Sequence, residues 1–259
     1  MKRISNPLLR SKSAILLLCV AAGISVITPG CKKDDKADAN SDQAVSQTDV
    51  ATVVSTAVTN GGVASQTEKA ATTASLFLST SNNAKATTAC GYKGEGNFNY
   101  ATDANVANAF SINYTYNYLL TCAADQKSYQ SFTFTFDGKT TMSTAKLSMA
   151  DTSSATYTVT GLADTSKTLV FNQEFNHKGN VISKDGSTAS FYSVIKYKSA
   201  NVTVDKATLT ILSGTATVSI TGTTSTGKTF SYDGTITYKG NKKATFAING
   251  GSSFDLNWQ

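Results

Sequence analysis

From residue 110 onward the chain alternates apolar and polar residues with a period of two. Phe110, Ile112, Tyr114, Tyr116, Tyr118 and Leu120 alternate with Ser111, Asn113, Thr115, Asn117 and Leu119, and only Leu119 breaks the pattern. Successive side chains on a strand point to opposite faces, so this spacing specifies a half-buried strand and excludes an amphipathic helix. Phe132, Phe134 and Phe136 alternate with Thr133 and Thr135 in the same way. The device recurs at Tyr157/Val159, Phe171/Phe175, Phe191/Ile195/Tyr197, Ala216/Val218/Ile220, Phe230/Tyr232/Ile236/Tyr238, Phe246/Ile248 and Phe254/Leu256/Trp258.

Short polar breaks separate the runs. Many contain glycine: Gly179, Asp185-Gly186, Thr226-Gly227, Gly240-Asn241 and Gly250-Gly251. Asp137-Gly138 and Asp233-Gly234 also read as turns, the usual place for Asp-Gly. Short connections favour antiparallel neighbours, because parallel strands need long crossovers. Alternation, in place of continuous apolar runs, predicts a sheet with one wet face. Residues 90–259 therefore read as an all-β domain, an antiparallel meander of roughly ten to twelve strands. Such a sheet must curl into a sandwich or barrel to bury its apolar face.

Residues 46–80 read as short helical segments. Ser46-Gln47-Thr48-Asp49 precedes Val50, Val53, Val54, Ala57 and Val58, which share a helical face, and Asn60-Gly61-Gly62 provides a stop. Ser65-Gln66-Thr67-Glu68 has capping-box spacing ahead of Ala70, Ala71, Ala74, Phe77 and Leu78. The many threonines and valines oppose a helix, since β-branching restricts the side chain there.

The formal charge of +6 rests on 23 basic and 17 acidic residues. Four of the basic residues, Lys2, Arg3, Arg10 and Lys12, precede Cys31 with no acid among them. Without those four, 19 basic residues face 17 acidic ones, a net of +2. No basic patch with interleaved aromatics remains, so nucleic acid is not an expected partner. The basic start and the 14-residue apolar run Ala14–Ile27 read as a secretory signal over residues 1–30, since a membrane span needs about 20 apolar residues.

The run ends at Ile27-Thr28-Pro29-Gly30-Cys31-Lys32-Lys33-Asp34-Asp35. A cysteine directly after such a run resembles the lipobox of bacterial lipoproteins. Gly30 fits the small residue that precedes the cysteine there, while Thr28 and Pro29 depart from the usual Leu-Ala/Ser pattern. The resemblance implies acylation of Cys31, with enough acyl chains to hold a domain at a membrane. Lys32 is not the aspartate associated with inner-membrane retention. Lys33-Asp34-Asp35 resembles the lysine-plus-two-acids export signal of Bacteroidota surface lipoproteins, which implies the outer membrane, facing the cell exterior. Residues 31–45 are small and polar, the composition of a flexible tether. Ser213–Gly222 and Gly234–Tyr238 resemble the threonine-rich β-domains of uncharacterised Bacteroidota lipoproteins, a family that supplies no chemistry.

Of four cysteines, Cys19 leaves with the leader and Cys31 is the lipidation site. Cys90 and Cys122 remain, an even pair in an oxidising compartment, and are expected to form a disulfide. The alternatives are two free thiols or a metal pair. The latter needs further ligands, and His177 is the only histidine, so no metal and no cofactor are expected.

His177 is the one residue able to serve a Ser-His-Asp site. It lies in Phe175-Asn176-His177-Lys178-Gly179, which reads as a solvent-exposed turn, and no nucleophile elbow accompanies it. The glutamates after the leader are Glu68, Glu95 and Glu174. A hydrolase would use Glu95 or Glu174 with a second carboxyl across a cleft. The tyrosines Tyr114, Tyr116 and Tyr118 share their face with Phe110 and Ile112 and read as core, which leaves Tyr92 and Tyr100 as the ligand-contact candidates. The expected function is non-catalytic binding of an extracellular polymer or protein by a lipid-anchored surface domain. A carrier of a small hydrophobic ligand in a curled sheet is the alternative, and a hydrolase the next.

Overall fold

The computed structural model describes residues 44–59, 61–81, 90–103, 106, 109–125, 128–186 and 189–258. The leader, Cys31 and residues 31–43 of the tether lie outside the described residues.

Among the described residues, ten strands follow two helices. They are β1 Lys93–Ala101, β2 Ala109–Cys122, β3 Tyr129–Ser143, β4 Leu147–Thr160, β5 Thr168–Ser183, β6 Phe191–Asp205, β7 Ile211–Thr224, β8 Thr229–Gly240, β9 Lys243–Ile248 and β10 Ser253–Asn257. Each pairs antiparallel with its sequence neighbours in one ten-stranded meander, as the alternation and short breaks predict. The sheet is curled but not closed: the strand order runs from β1 to β10, with no pairing between the two ends among the described residues.

The period-two reading of faces holds along the strands, although Phe110, Tyr118 and Phe254 on the inner side are only partly buried. Phe132, Phe134 and Phe136 are buried, while Thr133 and Thr135 lie on the other side of β3. Tyr114 and Tyr116 are core, as read. Rings stack in ladders along and across strands: Phe134 lies 5.5 Å from Tyr118, 5.8 Å from Phe132 and 6.1 Å from Phe136.

The second layer is helical. Helix α1, Gln47–Val58, and helix α2, Val63–Ser81, put Val50, Val54, Val58, Ala64, Ala70 and Ala74 into one core with the sheet's inner face. Ser46 caps α1, its hydroxyl accepting from the Asp49 N–H at 3.2 Å. The threonines that oppose a helix are accommodated because their hydroxyls donate to carbonyls one turn back, as Thr56 does to Thr52 and Thr72 to Glu68. Helix α2 begins two residues before Ser65, so Ser65 is not its cap. Its hydroxyl instead accepts from the Gly61 N–H and donates to the Thr59 carbonyl, bracing a turn in which Gly61 has φ +70°. Neither helix is long and apolar enough to cross a membrane.

Three glycines read as breaks lie inside strands. Gly138 is in β3, Gly179 in β5 and Gly234 in β8, so Asp137-Gly138 and Asp233-Gly234 are not turns. The reason is tertiary. Gly138 pairs with Tyr114, and a Cβ at Gly138 would fall inside the contact distance of the Tyr114 ring. Gly94 and Gly96 pair in the same way with Tyr118 and Tyr116. The absent side chain leaves room for a ring lying over the strand. Gly138→Ala is therefore expected to lower stability by about 1–3 kcal/mol, the usual range for overpacking. Urea melts should show part of the cost disappearing when Tyr114→Ala is added, because the second change removes the ring and leaves only the Asn113 carbonyl against the added Cβ.

Candidate binding face

The two faces of the sheet are chemically opposite. Among the buried polar groups of the inner face are Gln173, Ser199, Ser153, His177, Ser193 and Asp151, set among aromatics. Gln173 and the buried Tyr157 pin helix α2 in place. The Tyr157 hydroxyl donates to Gln66 of α2 at 2.9 Å, and the Gln173 amide donates to Thr67. Tyr197 and Ser199 donate to the Gln173 carbonyl oxygen at 3.1 and 2.9 Å. The Tyr232 hydroxyl donates to the Val45 carbonyl at 2.6 Å. Burial raises the pKa of Tyr197 to about 12 and raises those of Tyr157 and Tyr238 well above 10, so these hydroxyls stay neutral at any physiological pH.

Glu68 joins the helix to the C-terminal strand region by accepting from the Trp258 indole N–H at 3.2 Å. Its pKa is raised above 4.5, chiefly by burial, against the lowering effects of the Trp258 hydrogen bond and the Lys242 charge. An acid with a raised folded-state pKa adds stability that is complete below its unfolded pKa and is lost as pH rises through the folded value. Glu68→Gln retains an oxygen for Trp258 and cannot ionise. Thermal melts should show this variant more stable than the parent at about pH 7, with the difference gone by about pH 4.

His177 is not the solvent-exposed turn histidine of the sequence reading. It lies within β5, 2 % exposed, stacked at 5.9 Å on Phe175. The error arose at Gly179, which looks like a break but sits opposite Asp151 inside the β4–β5 ladder. Nε2 of His177 lies 3.4 Å from Asp151 Oδ1, within ion-pair distance, yet has no hydrogen-bond partner of good geometry. Ser153 is directly across from His177, but its hydroxyl donates to the Tyr114 hydroxyl at 3.0 Å and not to the imidazole. The three residue types of a hydrolytic triad thus meet without the serine-to-histidine proton path that such a site requires.

The outer face carries threonine, asparagine, serine and lysine in continuous rows. One row, Glu95–Asn117–Thr135–Thr156–Glu174–Lys198, crosses six strands from β1 to β6. Two of the predicted site residues lie in it. Glu95 and Glu174 are four strands apart, about 19 Å at the usual interstrand spacing, whereas paired glycosidase carboxyls stand about 5–9.5 Å apart. Glu174 instead accepts from Lys198 Nζ at 2.8 Å, both side chains being exposed. That hydrogen bond raises the Lys198 pKa above 10.5.

Shallow grooves mark this face, and among the described residues they include the following three. One of about 520 Å³ lies between Glu174, Lys196, Lys198, Thr217, Asp233 and Thr235. A second, of about 700 Å³, is bordered by Asn113, Asp137, Lys139, Thr152, Asn176 and Lys178. A third, of about 540 Å³, lies around Ile182 and Tyr192. The lining of each combines outer-face residues with buried neighbours on the same strands, such as Tyr197, His177 and Phe191.

Tyr92 and Tyr100 sit away from these grooves, at the β1 edge. Tyr92 is 45 % exposed and packs its ring 5.2 Å from Phe77 and 6.0 Å from Tyr118. Tyr100 is half-buried in β1, opposite Ile112. Cys90 and Cys122 form the expected disulfide, with Cα atoms 5.5 Å apart. No group of three or more metal-ligating side chains occurs among the described residues. Comparison with protein-family models, with curated proteins and with solved structures finds no match to this chain.

Proposed function

We propose that this chain is a lipid-anchored protein of the bacterial outer surface whose β-domain binds an extracellular polymer or protein without transforming it. The observation that carries this reading is the uncovered outer face: a wide, hydrogen-bonding surface with three grooves, opposite a face that the chain's own helices already fill. The location rests on Gly30-Cys31 after the apolar run and on Lys33-Asp34-Asp35. Interior carriage of a hydrophobe is less well supported, because α1 and α2 occupy the space a ligand would need; α2 is tied there by the hydrogen bonds of Gln66, Thr67 and Glu68, and α1 by Gln47, which accepts from the Ser252 N–H. Hydrolysis through Glu95 or Glu174 is less well supported because the two are separated and Glu174 is engaged by Lys198.

Two experiments test the parts separately. Protease shaving of intact cells should remove the domain, and metabolic labelling with a fatty acid should mark the product in a Cys31-dependent way. Arrays of glycans and of extracellular proteins, probed with the chain from residue 32, should yield a ligand whose capture is abolished by a charge placed in one of the outer grooves, Thr217→Glu, Thr152→Glu or Thr223→Glu, and retained by Tyr92→Ala at the edge. Capture insensitive to all three would place the binding elsewhere.

A further inference from the structure

The three outer grooves differ in charge. Those around Lys198 and Lys139 carry both lysine and acidic side chains. The third is lined by no charged residue at all. Among its lining residues Tyr192 of β6 is 42 % exposed, the exposed aromatic ring of this groove. Asn180 of β5 is directly opposite it on one side and Thr223 of β7 on the other. Ile182, 55 % exposed, stands next to Asn180 on the same face of β5. Beyond Asn180 the row continues to Ala150, whose small side chain leaves the groove open.

We infer that this groove is a subsite for one neutral pyranose unit of a polysaccharide, with Tyr192 as the stacking platform. The inference rests on the binding role proposed above and specifies its ligand. A sugar ring has one face of C–H groups and a rim of hydroxyls that both donate and accept. An exposed tyrosine ring matches the first, and an amide flanked by hydroxyls matches the second, since Asn and Thr side chains also do both. The uncharged lining matches a neutral ligand and disfavours an anionic polymer, which would lose hydration without gaining a countercharge. The row Asn180–Tyr192–Thr223 advances about 4.8 Å per strand, close to the length of one sugar in an extended chain, so a polymer laid across the strands meets one of these side chains at each step.

The test uses the full chain in affinity electrophoresis through gels containing a neutral glucan, mannan or galactan, or the anionic polymer polygalacturonate. At least one neutral polymer should retard the chain. Tyr192→Ala should weaken that retardation about tenfold or more, and Tyr192→Phe should stay within about threefold of the parent, because the ring and not the hydroxyl supplies the stacking. Tyr192 lies on the exposed face, so thermal melts of both variants should match the parent. Retardation by a neutral polymer that Tyr192→Ala leaves unchanged would overturn the subsite while sparing the wider binding role. Retardation by polygalacturonate alone would overturn the neutral-sugar assignment. Capture of an extracellular protein through Thr217 with no polysaccharide bound would overturn the saccharide ligand but uphold the outer face, and failure to bind either class would overturn both.

Discussion

Phe134→Ala is expected to destabilise the domain by about 3–5 kcal/mol, the range for truncating a buried phenylalanine. Phe134 is fully buried at the centre of the aromatic ladder, opposite Tyr118 on β2 and Tyr157 on β4. Three neighbouring rings would lose a partner, and the cavity could not collapse, because each ring is held by its own strand's hydrogen bonding. Thr135→Ala, one residue along but on the outer face, should stay within about 0.5 kcal/mol of the parent. Paired urea melts of the two variants read the sidedness of β3 directly. Equal costs would mean that the assignment of faces is wrong.

Replacing Cys90 and Cys122 together by serine should cost about 3–4 kcal/mol in the chain-entropy account, for a loop closed across 32 positions. The structural consequence should be local. β1 is an edge strand, paired only with β2, and it begins just beyond Cys90. Backbone bonds continue that pairing up to the disulfide, with Gly91 donating to Leu120 and Leu120 to Tyr92. The bridge thus clamps the open end of the β1–β2 ladder. Hydrogen exchange in the double variant should accelerate first in Lys93–Ala101 and leave β5 to β8 protected. Superimposable melts with and without reductant would show that the bridge contributes nothing to stability.

How much of this could be read from residues alone depended on whether the signal was local. The strand assignments came from side-chain alternation, and the faces of Phe132, Phe134 and Phe136 followed without further information. The start of α1 after Ser46-Gln47-Thr48-Asp49 was legible for the same reason, since the apolar face that follows repeats within one turn. Asp137-Gly138 and Asp233-Gly234 misled because Asp-Gly is a strong turn signal, whereas these glycines are determined by a ring on another strand or in the next hairpin. His177 misled through its neighbour Gly179, and its buried place beside Asp151 depends on a cross-strand register that no local pattern encodes. Tyr192 escaped notice as a site residue because its exposure is visible only once the sheet is built. In the alternation with Phe191 it looks like any outward position.

What the sequence determined by itself was the strand period, its antiparallel meander, the helical start and the cysteine pair, all of which follow from the pleat of the backbone, the length of the connections and simple counting. Only the tertiary structure decided that the chain's own helices cover the inner face, that glycines make way for rings inside strands, and that Asn180, Tyr192 and Thr223 stand in one row. Those outcomes depend on which distant residues share a register, a property of ten strands packed together that no window along the chain contains.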